Sequence, residues 1–167
     1  MTACRIGSSA LGYILWFIML VATGFCQSPD GLPKPPKPLR ERLLQRALHG
    51  DPEAQFDLGR GYETGRIGLP QDLSEAHRWY REAADQGDPF AEASLGMLFD
   101  FGKGGERDYV QAYIWYERAV LRLSGGDRET VSEMRDRVAA KLSSQQVAEA
   151  RSLAEKWKPT PRKSLVQ

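Results

Sequence analysis

Few side chains in this chain have the types and spacing that chemistry requires. The only cysteines are Cys4 and Cys26, both in the apolar N-terminal stretch, so the remainder has no thiol nucleophile and no disulfide framework. His49 and His77 stand far apart, outside any zinc-ligand spacing. A Ser-Lys or Ser-His nucleophile system needs neighbouring groups that the pattern does not supply. Glu75 with Arg78, and Arg81 with Asp85, are helix-spaced charges of a solvated face, worth a few tenths of a kcal/mol. What remains is a pair of aromatic doublets, Trp79-Tyr80 in "EAHRWYREAADQG" and Trp115-Tyr116 in "QAYIWYERAV". Such doublets can cage a cationic ligand or fill a core. A cage has no need of the alanines that flank them, Ala76 and Ala83 in the first copy, Ala112 and Ala119 in the second. The expectation is a non-catalytic chain with no metal and no cofactor.

The doublets belong to longer elements that repeat. "GDPEAQFDLGRGYETG" from Gly50 matches "GDPFAEASLGMLFDFG" from Gly87, which aligns Ala54, Leu58, Gly59, Tyr62 and Gly65 with Ala91, Leu95, Gly96, Phe99 and Gly102. After a one-residue slip, Asp72, Ala76, Trp79, Tyr80 and Ala83 align with Asp108, Ala112, Trp115, Tyr116 and Ala119. The period is about 36 residues, in the range of helical solenoids.

Each repeated position has a physical reason. Asp51 and Asp88 precede a proline at the first helical position, the arrangement that satisfies free N–H groups at a helix start. Ala54, Leu58 and Tyr62 recur every four residues and share one helix face. Gly59 lets a neighbouring helix come close, and Gly65 ends the helix with positive φ. Asp72 opens a second helix with Ala76, Trp79, Tyr80, Ala83 and Ala84 on one face. Small residues beside large ones suit interlocking helices.

At these residues the chain resembles the Sel-one-like repeat family, relatives of tetratricopeptide repeats, whose pattern runs A-x-x-x-L-G-x-x-Y-x-x-G, then A-x-x-W-Y-x-x-A-A-x-x-G. The second copy departs from it with Phe99 for Tyr, Val120 for the second Ala, and Gly105 at an apolar loop position. The resemblance implies an all-α, right-handed helical-hairpin solenoid of about seven helices. Full repeats are expected at 50–86 and 87–122 inside a domain of residues 39–158, with incomplete units on both sides. "PLRERLLQRALHGD" aligns as the second helix of a preceding unit, and a third Gly-Asp, Gly126-Asp127, opens the trailing one. Ser143 with Gln146 forms a capping box before a row of Val147, Ala150, Ala154 and Trp157. Residues 159–167 are expected to be a loose tail.

The N-terminus is of another kind. Arg5 is the only charged side chain before Asp30, and an apolar run from Leu11 to Val21 leads to small residues at Ala22 and Gly24. That layout predicts a signal peptide or signal anchor over residues 1–26, hence an exported protein, periplasmic, secreted or membrane-anchored. Residues 27–38, with five prolines among them, predict a semi-rigid polyproline II linker.

Charge narrows the partners. Lys plus Arg number 23 and Asp plus Glu 22, a balance with no pull toward nucleic acid or anionic lipid. Membrane contact is expected through the N-terminal segment alone, if it is not cleaved. The family resemblance implies an adaptor that holds another protein. The expected contact surface lies opposite Ala54, Leu58 and Tyr62: Phe56, Arg60 and Glu63 in the first repeat, Phe90, Met97, Asp100 and Phe101 in the second. A cell-wall-acting hydrolase and a permanent structural subunit of an envelope complex are the alternatives. The family members linked to β-lactam or peptidoglycan turnover are cysteine-rich, unlike this chain.

Overall fold

The computed structural model describes residues 38–160; the expected leader, the expected linker up to residue 37, and residues 161–167 lie outside the described residues. Residues 38–160 form seven helices and no strand. They are α1 (Leu39–Leu48), α2 (Pro52–Thr64), α3 (Leu73–Asp85), α4 (Pro89–Phe101), α5 (Tyr109–Val120), α6 (Gly125–Ala139) and α7 (Ser144–Lys156). Successive helices from α1 to α6 pack on one another, and α5 also packs on α7, which makes an all-α helical repeat solenoid.

Local chemistry sets the helix boundaries. The Asp51 carboxylate accepts from the Glu53 N–H and that of Asp88 from the Ala91 N–H, each followed by proline in the first turn. Asp72 and Asp108 cap α3 and α5 in the same way. The two first helices, α2 and α4, end in left-handed glycines, Gly65 at φ 67° and Gly102 at φ 65°. Ser143 and Gln146 form a reciprocal capping box at α7. The third Gly-Asp behaves differently: α6 starts at Gly125 behind Ser124, so Asp127 sits inside its first turn and is not the cap.

Three clusters of buried side chains follow one another along the stack. Trp79 joins Leu43 and Ala47 of α1 to Ala54 and Leu58 of α2. Tyr80, Ala76, Ala83 and Ala84 meet Ala91, Leu95 and Leu98 of α4, with Trp115 of α5. Tyr116, Ala112 and Ala119 continue into Val131 and Val138 of α6 and Ala150 of α7, with Phe99 packed alongside. Within each doublet, then, the tryptophan plugs the preceding junction and the tyrosine the following one. The Leu-Gly pairs make this possible. A Cβ on Gly59 would stand 2.5 Å from Tyr80 Cδ1, and one on Gly96 2.5 Å from Tyr116 Cδ1, so each glycine is the seat of a tyrosine ring.

Candidate protein-interaction surface

The outer rows of α2 and α4 carry the residues expected to meet a partner, and the structure sorts them. Phe90 and Phe101 are open, at 47% and 51% exposure, and together with half-buried Met97 they line one stripe of α4. Arg60 is exposed, with its guanidinium 5.8 Å from the centre of the Phe56 ring. Phe56 itself is half-buried, 5.7 Å from the Tyr80 ring and 6.1 Å from that of Phe90, so it supports the surface more than it forms it. Glu63 turns to internal work: it accepts from the Tyr80 hydroxyl at 2.8 Å and pairs with Lys103 at 3.3 Å. Burial, and next that hydrogen bond to Glu63, push the Tyr80 hydroxyl well above the ordinary phenol range.

Asp100 corrects the expected surface. It is 2% exposed and pairs with Arg137 of α6 at 3.2 Å and with Lys141, in the turn after α6, at 3.6 Å. Helix α6 thus covers the end of the second repeat, and Asp100 helps to hold it there. Arg137 also reaches over the Phe101 ring at 6.0 Å, which places a cation beside the open phenylalanine.

One polar cluster escaped the sequence reading. Glu92, fully buried on α4, meets Arg118 of α5 at 2.9 Å and Arg122, in the turn after α5, at 3.1 Å. The Arg118 guanidinium also donates to the Ala84 carbonyl at 3.1 Å and lies between the rings of Trp115 and Trp157, at 4.0 and 3.4 Å from their centres. Burial pushes the Glu92 carboxyl up, and the two guanidiniums pull it back. The helix-spaced pairs are present too, Glu75–Arg78 at 2.7 Å and Arg81–Asp85 at 3.3 Å. Their arginines lie over Trp79 and Trp115, at 4.5 and 4.9 Å, so the tryptophans carry cations from the protein itself. Among the described residues no group of three or more His, Cys, Asp or Glu side chains is placed to hold a metal, and no helix is long and apolar enough to cross a membrane.

The Sel1 repeat family model matches twice, over residues 52–88 and 89–122, which are the two full helical hairpins described above. The chain belongs to the Sel1 repeat family. It is 34% identical over 94 residues to the chitin synthase regulator SKT5 of Saccharomyces cerevisiae, a match covering 56% of this chain and 13% of the regulator. It is 38% identical over 66 residues to an uncharacterized protein of Neisseria meningitidis serogroup B, covering 40% of this chain and 14% of that protein. The chain therefore matches only a small part of these relatives. Among solved structures, a protective antigen of uropathogenic Escherichia coli with an SLR fold superposes with a TM-score of 0.61 at 33% identity, over 70% of this chain and 24% of the antigen. A Sel1 repeat protein from Oxalobacter formigenes is 31% identical, with 70% of this chain and 97% of that protein covered and a TM-score of 0.47.

Proposed function

We propose that this Sel1 repeat protein is a non-catalytic adaptor that holds a partner protein against the outer rows of α2 and α4, and that it works outside the cytoplasm. Sel1 repeats are in general protein-interaction modules, and the regulator SKT5 shares the repeat. The observation that carries the reading is the pair of open phenylalanines, Phe90 and Phe101, on one stripe of α4 in a chain whose charges otherwise balance. Large exposed aromatic side chains gathered on one face are what a partner's pocket takes up. Export rests on the leader-like stretch, with Arg5 followed by the apolar run Leu11 to Val21.

Phe90→Asp and Phe101→Asp are expected to abolish recovery of the crosslinked partner from the native cell while leaving the melting temperature nearly unchanged. Both side chains are half open already, so charge there costs the fold little. Leu153→Asp, at 58% exposure on α7, is the matching control and should bind as the parent does. Phe56→Asp is a poorer probe, since that ring packs on Tyr80. Full recovery with both phenylalanine variants in folded protein would remove this surface from consideration. For location, a reporter active only in the cytoplasm, fused after Gln167, is expected to stay silent; strong signal would speak against export.

A further inference from the structure

The two repeats hold the same groove, and among the described residues only one of them is filled. Gly87, Glu92, Trp115, Arg118 and Arg122 of the second repeat occupy the places of Gly50, Gln55, Trp79, Glu82 and Gln86 in the first. The hydrogen bonds correspond as well. In the first repeat Gln55 donates to the Ala47 carbonyl at 3.1 Å and accepts from Gln86 at 2.7 Å. In the second, Arg118 donates to the Ala84 carbonyl at 3.1 Å and Glu92 accepts from Arg122.

The chain fills the second groove with its own segment Trp157–Thr160. Beyond α7 the backbone at Trp157 is extended, at φ −71° and ψ 141°, in the polyproline II region. The Trp157 ring lies on Arg118 at 3.4 Å and near Arg122 at 4.7 Å. Pro159 lies against Gly87, so close that a Cβ there would stand 3.1 Å from its Cγ. Thr160 then donates its N–H to the Asp85 carbonyl at 2.8 Å, so these residues are held where a tail loose from residue 159 was expected.

In the first repeat the matching groove is, among the described residues, an open cleft of about 430 Å³ whose lining includes Gly50, Gln55, Arg78, Trp79, Glu82 and Gln86, with Thr160 at its edge. Gly50 keeps a positive φ of 78°, as Gly87 does at 92°, so both grooves have a floor without a side chain. Their charge differs. Glu82 stands where Arg118 stands, Gln86 where Arg122 stands, and Asp85 where Leu121 stands. The first cleft keeps one cation, Arg78, which lies over Trp79 at 4.5 Å and is already paired with Glu75 at 2.7 Å. At the places of Arg118 and Arg122 it has none, and Glu82 and Asp85 add carboxylates to its lining.

We propose that the first-repeat cleft is a docking site for an extended, proline-containing segment of a partner protein that carries a lysine or arginine. The proline lies on Gly50 as Pro159 lies on Gly87, and the incoming cation meets Glu82 beside Trp79. Polyproline II segments suit such a site because they bind with little ordering cost and leave their carbonyls free. The volume accommodates a few residues. This site is separate from the stripe of Phe90 and Phe101 and does not depend on it.

The test uses the full chain and a fluorescein-labelled peptide, Gly-Lys-Pro-Arg-Pro-Ser-Gly, followed by polarisation. Saturable binding is expected, weakened about tenfold or more in Glu82→Lys, where like charges meet, and equally for a peptide with Asp in place of Lys and Arg. Phe90→Asp should bind the peptide as the parent does, so failure here and failure of the Phe90–Phe101 contact surface are told apart. In NMR the indole N–H of Trp79 should move on titration and that of Trp115 should not. Absence of saturable binding at millimolar peptide, or equal affinity in folded Glu82→Lys, overturns the proposal. So does binding that appears only after residues 161–167 are removed. That result would assign the cleft to this chain's own basic end, which holds Arg162 and Lys163.

Discussion

Trp79→Ala and Trp115→Ala are each expected to lower the unfolding free energy by about 3–5 kcal/mol, the usual cost of emptying a large buried aromatic site. For a domain of this size that is a drop in melting temperature of about 10 °C or more. Both rings are almost wholly buried, at 4% and 2% exposure, and each closes a junction between successive units. The two losses should spread differently. Trp79 ties α1 to the hairpin of α2 and α3, at one end of the described stack, so its removal should free α1 first. Trp115 sits mid-stack with Arg81 and Arg118 lying over it, so its removal should loosen neighbours on both sides. Hydrogen exchange by mass spectrometry separates the cases: Trp79→Ala should lose protection mainly over 39–48, Trp115→Ala over α3 to α5. Neither indole Nε1 has a hydrogen-bond partner among the described residues, so Trp→Phe should cost far less than Trp→Ala at both sites. Melting of either alanine variant within a degree or two of the parent would show that its ring is not a plug.

The parts of the fold that could be read from the sequence are those with local causes. An aspartate before a proline caps the helix that it starts, and the glycine at position 65 or 102 stops the helix that precedes it, whatever lies elsewhere. The repeat then supplies the third dimension, because a unit that recurs must stack on its copy. The surface residues were less legible. A helical wheel puts Asp100 on the same side as Met97 and Phe101, yet α6 and the turn after it bring Arg137 and Lys141 to that end of α4. The wheel has no term for a helix that arrives from 37 residues away. Glu92 and Arg118 were missed for the same reason, since each alone looks like an ordinary surface charge. The signal that was available is the comparison between copies: the position of Glu92 holds Gln55 in the first repeat, and the two cationic positions opposite it hold Glu82 and Gln86. Joint changes of charge at three matching places point to a shared contact.

That contact carries the second large effect. Glu92→Ala is expected to destabilise by about 3–5 kcal/mol, because it leaves a buried guanidinium without its counter-charge. Arg118 is 4% exposed, so water cannot replace the carboxylate without opening the α4–α5 interface. Glu92→Gln should cost less. The amide keeps the size and one acceptor, and Gln55 shows that an amide fits this position when its partners are uncharged. Arg118→Ala should also cost stability, through the lost bond to the Ala84 carbonyl and the lost stack under Trp157. Its signature differs from that of Glu92→Ala: without the guanidinium the Trp157 ring loses its seat, so Trp157 fluorescence should shift to the red before any unfolding. The double variant decides whether the two side chains act as a unit. If the ion pair dominates, Glu92→Ala with Arg118→Ala costs clearly less than the sum of the single changes, because no unpaired buried charge remains. Additivity within about 0.5 kcal/mol would mean that the two residues stabilise their helices separately. The Glu92–Arg118 contact would then be a consequence of the packing and not a cause of it.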